Sequence, residues 1–136
     1  MAYGRGIGTE PLVSEAFDGS RVTELRHAVA SCAAGAGLTG GRLDDFVIAV
    51  NELLTNAVRH GGGHGHVALW RAAGAVVCEV TDRGSGFRAP RPDEEERPQL
   101  HKPGGWGLWL AGRLTDTLDL ESNAHGTTVR ISTRVS

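Results

Sequence analysis

Cysteine is scarce in this sequence: Cys32 and Cys78 are the only two among 136 residues. Their spacing matches no zinc or dithiol motif, which excludes a cysteine-held metal or redox centre. Cys32 lies in an Ala-rich helical stretch and Cys78 in a Val-rich strand. Both read as buried free thiols, as expected in a reducing compartment. Long hydrophobic runs are missing too. None approaches the roughly 18–20 residues of a membrane span, and no charged-then-apolar leader opens the chain. The expected location is the cytoplasm, with no membrane partner. Charge of one sign is also lacking: 14 Lys and Arg face 16 Asp and Glu, a formal net charge of −2. No global field therefore draws nucleic acid, and no direct nucleic-acid contact is expected. Proline is rare, with four of five residues between 88 and 104.

Glycine is the opposite case. There are 20, clustered at 35–41, 61–65, 84–86 and 104–107, which points to functional backbone turns rather than general flexibility. Forty per cent hydrophobic and 22% charged residues describe one globular domain with a real core. Residues 1–10 read as a disordered lead-in and 11–136 as a single domain. Leu12 to Phe17 is a strand candidate. Asp18 or Ser20 can cap a helix over 21–34, which Gly35 and Gly37 end. A second helix is expected over 41–60, with an apolar stripe including Leu43, Phe46, Val50, Leu53, Leu54 and Ala57. His66 to Arg71 and Ala75 to Thr81 read as a hairpin. The proline-rich, acidic stretch 88–104 reads as a long loop. A third helix spans 106–115, and Thr117 to Glu121 with Thr127 to Arg134 form a final hairpin. The pattern predicts an α+β two-layer sandwich: a mixed, mostly antiparallel sheet with helices on one face.

Glu52 and Asn56 sit one helical turn apart, away from the middle of the apolar stripe. A carboxylate can take a proton from a nucleophile, and an amide oxygen can hold a hard cation such as Mg²⁺. Asp82-Arg83-Gly84-Ser85-Gly86 follows the Val-rich strand. Such a stretch is often a plain β-turn. An ionised Asp there accepts hydrogen bonds only, which suits the exocyclic amine of adenine. Gly105, Gly107 and Leu108 open the third helix, where free N–H groups bind phosphate; a hinge or cap is the plainer reading. Trp106 and Trp109 fit packing against the sheet better than base stacking. Thr127 and Thr128 open the last strand, either as a turn into an edge strand or with hydroxyls completing a base pocket. His60, His64 and His66 read as strand-entry residues rather than a metal site.

In this order and context, the blocks resemble the GHKL ATPases, the Bergerat-fold superfamily. The resemblance covers about residues 12–134. It implies ATP and Mg²⁺ as cofactors. Asn56 would hold Mg²⁺, Asp82 would bind adenine, and Gly84 and Gly86 would shape the base pocket. Gly105, Gly107 and Leu108 would offer amides to phosphate, and Thr127 or Thr128 would support the base. Residues 88–104 would be the ATP lid and Glu52 the general base.

Among GHKL branches, the chain looks like the small anti-sigma-factor kinases, of the actinobacterial type. The Gly105-Trp106-Gly107-Leu108-Trp109 block and the Ala, Gly and Arg bias carry that likeness. Ending at Ser136, the sequence is not expected to bring a transducer domain, and its first helix lacks the heptads of a phospho-accepting hairpin. Members of this class phosphorylate serine or threonine on an anti-anti-sigma (STAS-domain) protein. Many sequester a sigma factor, and several are homodimers. A nucleotide-gated sequestering module without significant kinase activity, and an isolated histidine kinase catalytic domain, are the alternative readings.

Overall fold

The computed structural model describes residues 10–84 and 105–135. The expected lead-in, apart from its last residue, lies outside them, as do Gly86 and the stretch 88–104. The elements run β1 (Val13–Asp18), α1 (Val22–Gly35), α2 (Gly40–His60), β2 (His64–Ala72), β3 (Ala75–Asp82), α3 (Gly105–Leu114), β4 (Thr117–Asn123) and β5 (Gly126–Arg134). A short 3₁₀ turn, Gly19–Arg21, links β1 to α1. Asp18 makes that turn: its carboxylate accepts from the Ser20 N–H at 2.8 Å and the Ser20 hydroxyl at 2.5 Å. These two donors hold the Asp18 carboxyl below its ordinary pKa.

Helix α2 is the spine of the molecule. Phe46, Val50, Leu53 and Leu54 recur on one face and are fully or almost fully buried. Each such side chain contributes roughly 1.5–3 kcal/mol relative to exposure. Truncating Leu53 to alanine would cost about 2–5 kcal/mol, the range for a large-to-small change in a packed core. The helix ends at Gly61, whose N–H donates to the Ala57 carbonyl at 2.7 Å. At its other end, Arg42 donates to the Asp116 carboxylate at 2.8 Å and to the Arg134 carbonyl at 3.0 Å. That pair staples the start of α2 to the far end of the sheet.

The five strands lie in the order β1-β2-β3-β5-β4, and every pairing is antiparallel. The expected mixed sheet is thus fully antiparallel among the described strands. Ala73 and Gly74 turn β2 into β3 with φ of 53° and 76°, the two-residue arrangement whose twist suits a hairpin. The last hairpin forms as expected, but β5 is not an edge strand. It inserts between β3 and β4.

All three helices cover one face. Val67, Leu69, Val76, Cys78, Val129 and Ile131 point into a core shared with α1, α2 and α3. The alternate residues Ala68, Trp70 and Val77 make a small second cluster on the other face. There, Arg130 pairs with Glu79 at 2.6 Å and lies 5.7 Å over the Trp70 ring. Leu108 and Ala111 form the core side of α3. Trp109 is half-buried, with the Arg113 guanidinium 5.8 Å above its ring.

Candidate functional site

Glu52 and Asn56 lie on the same side of α2, one turn apart. Asn56 is only 6% exposed, a polar side chain drawn into the interior. Glu52 is half-buried. Between them, the Thr55 hydroxyl donates back to the Asn51 carbonyl at 3.0 Å and the Glu52 carbonyl at 3.2 Å, so it stays tied to its own helix. Helix α3 packs against α2 so closely that a Cβ added at Gly107 would stand 2.8 Å from Glu52 Oε1. The carboxylate therefore rests on the first turn of α3. Residues 105–108 form the first described turn of that helix, and amides at a helix start can donate to an anion. Leu108 anchors the turn by burying its side chain completely.

Asp82 closes β3 at the other end of the site. It is 6% exposed, and its Oδ1 accepts the Gly84 N–H at 3.0 Å. The register of β3 on β5 sets Asp82 beside Thr127. Thr127 is 3% exposed and lies 2.8 Å, oxygen to oxygen, from the Ser122 hydroxyl. Its neighbour Thr128 points to the opposite face, where its hydroxyl meets that of Thr81 at 3.5 Å. Of the two threonines, then, Thr127 shares a face with Asp82. Gly61 at the end of α2 packs directly on Asp82. From Glu52 to Gly61 the helix advances nine residues, roughly 13 Å at about 1.5 Å each, on the scale of an extended nucleoside triphosphate.

The donor set is sparse. Among the described residues, no group of three or more His, Cys, Asp or Glu could hold a metal ion by itself. One buried amide oxygen beside one carboxylate fits Mg²⁺, which takes one or two protein ligands and fills its shell with phosphate and water. With Ala16, Thr81 and Arg83, His64 and His66 line a cavity of about 370 Å³ that Asp82 also lines.

The model of the histidine kinase-like ATPase domain family matches residues 16–133. The chain belongs to that family. The fold places it in the GHKL superfamily, with the five-stranded sheet and three helices of its ATP-binding domain. One similar solved structure is that of the RsbU and RsbW domains of Rv1364c from Mycobacterium tuberculosis. It shares 25% identity and a TM-score of 0.68 over 93% of this chain and 32% of that one. This chain therefore spans about a third of the length of that two-domain chain. The histidine kinase domain of the blue-light activated kinase EL346 from Erythrobacter litoralis gives 20% identity and a TM-score of 0.54, covering 96% of this chain and 70% of that one. The Acinetobacter baumannii histidine kinase AdeS gives 17% and 0.52, covering 92% and 68%. These two share the fold. No curated protein matches the sequence.

Within this GHKL domain, the residues singled out from sequence converge from four segments: Glu52 and Asn56 on α2, Asp82 and Gly84 after β3, Gly105 to Leu108 on α3, and Thr127 on β5. Sequence reading missed two contributors. Ser122 holds Thr127 across the last hairpin, and a Thr–Ser pair flanking a turn was the available signal. Gly61 read only as one of the glycine cluster 61–65, yet it alone of Gly61, Gly62 and Gly63 is buried. Three consecutive glycines hide which of them is needed for space.

Proposed function

We propose that this chain is an ATP-binding protein serine/threonine kinase of the anti-sigma-factor type. It would transfer the γ-phosphoryl group of ATP to a hydroxyl on a STAS-domain antagonist. The observation that carries the reading is the contact between Glu52 and Gly107. It sets a proton acceptor against the turn whose amides would cradle the phosphates. In this reading Glu52 takes the proton from the attacking hydroxyl, a role worth about 10²–10⁴ in rate. The amides of Gly105, Gly107 and Leu108 bind phosphate oxygens. Asn56 holds the Mg²⁺ that accompanies ATP, an ion that neutralises phosphate charge when bound. Asp82 accepts the adenine amine, Thr127 supports it, and Gly84 keeps the base pocket open. The likeness to a structure carrying an RsbW domain supports the anti-sigma branch and a partner that supplies the acceptor.

The test is phosphate transfer from labelled ATP to STAS proteins encoded nearby, with phosphosite mapping. The expected product is phosphoserine or phosphothreonine. Glu52→Ala should keep nucleotide affinity and lose transfer. Tight ATP binding with no transfer to any of these proteins would leave only a nucleotide-gated binding module. Transfer to a histidine on a helical hairpin added in trans would move the chain to the histidine kinase branch. Guanine presents a carbonyl where adenine presents an amine, so ATP should bind better than GTP. Equal affinities by calorimetry would remove Asp82 from the base site.

A further inference from the structure

We infer that Gly61 is a specificity-determining residue that positions Asp82 for recognition of the base. The inference rests on the reading of Asp82 as acceptor of the adenine amine. Two segments distant in sequence meet Asp82, each presenting a glycine, and Gly84, two residues on, packs against the first of them. A Cβ at Gly61 would overlap the Asp82 carboxyl carbon and stand 2.5 Å from the Asp82 Cβ. One at Gly84 would lie 2.8 Å from the Gly61 Cα and carbonyl carbon, and one at Gly126 would enter the Asp82 carbonyl oxygen.

Conformation does not explain Gly61. Its φ is −105°, a value any residue adopts. Gly62 and Gly63 differ: their φ values are 86° and 91°, but an added Cβ meets nothing closer than 3.9 Å at Gly62 and nothing within 4 Å at Gly63. Those two are glycines for their backbone, whereas Gly61 is glycine for the space that Asp82 fills. A second neighbour, the Ala57 carbonyl oxygen at 2.6 Å from the added Cβ, also crowds the position. The consequence is a single pose for the carboxylate. The Gly84 amide holds one oxygen, and the α2 backbone blocks movement toward the helix. Asn56 lies five residues earlier on the same helix, so one rigid element sets both the metal ligand and the base acceptor.

The experiment compares ATP with inosine triphosphate, which carries a carbonyl in place of the adenine amine, by calorimetric titration of the full chain. The unsubstituted protein should prefer ATP by roughly tenfold or more, the size of one hydrogen bond to a charged group. In Gly61→Ala, ATP affinity should fall by about that factor while inosine triphosphate affinity stays the same, collapsing the preference. Retention of the full preference in Gly61→Ala overturns the inference. Absence of preference in the unsubstituted protein removes the reading of Asp82, and the inference with it. Should Gly61→Ala not fold, the same change is made in an Asp82→Gly background and both are followed by urea unfolding. A folded protein only where the carboxyl is gone supports the inference. Unfolding in both backgrounds assigns Gly61 to the helix end alone and overturns it.

Discussion

A methyl group added at Gly107 would press on the Glu52 carboxylate while leaving the amide of residue 107 in place. Gly107→Ala should therefore slow phosphoryl transfer by about 10²-fold, the lower end of a general base's contribution, with a far smaller change in ATP affinity. Single-turnover rates beside nucleotide titrations check this; equal losses in both would mean that α3 itself has moved. Cys78 offers a second test. Complete burial, with Glu79 adjacent, pushes its thiol far above the ordinary range, and only the thiolate reacts. Cys32 is partly exposed, its sulfur 3.9 Å from the Leu12 carbonyl. A native-state thiol titration should count one cysteine, and a second only in denaturant. The sequence placed Cys78 inside correctly because Val neighbours declare a buried strand. It overstated the burial of Cys32, which sits at the margin of the α1 stripe. The placement of Glu52 and Asn56 on one helix face and of Asp82 at a strand end was legible because both are local features. The role of Gly61 was not, since it is set by a neighbour 21 positions away, at Asp82.

Helices gave themselves away through spacing. The stripe on α2 marks both its extent and its buried side, and Gly61 marks its end within a residue of expectation. Hairpin turns were legible where short, as at Ala72-Ala73-Gly74. The β2–β3 turn carries a visible defect, because Ala73 occupies a left-handed conformation at φ 53°. An alanine there costs about 1–2 kcal/mol relative to right-handed backbone. Ala73→Asn would create the Asn-Gly pair such turns prefer and should stabilise the protein by up to about 1 kcal/mol. A urea midpoint that falls or stays put would contradict the turn assignment. What spacing could not reveal was strand partnership. Leu118, Leu120, Val129 and Ile131 alternate as a hairpin should, yet nothing local says that β5 also pairs with β3. That second pairing brings Thr127 to Asp82 and turns Thr128 away.

For the molecule as a whole, strand order grades stability. β2, β3 and β5 have partners on both sides, whereas β1 and β4 have one each. Amide hydrogen exchange should leave β2, β3 and β5 protected longest, and β4 should open before them. Uniform exchange across the sheet would mean that it opens only as a unit. The insertion of β5 also sets a clock on synthesis. A ribosome adds about 5–20 residues per second, so Thr127 is made roughly two to nine seconds after Asp82. Through that interval β3 has an open edge and Asp82 lacks the neighbour that Thr127 provides. If Asp82 and Thr127 hold the base as proposed, a nascent chain cannot recognise a nucleotide base until the strand that ends at Arg134 has been made and paired.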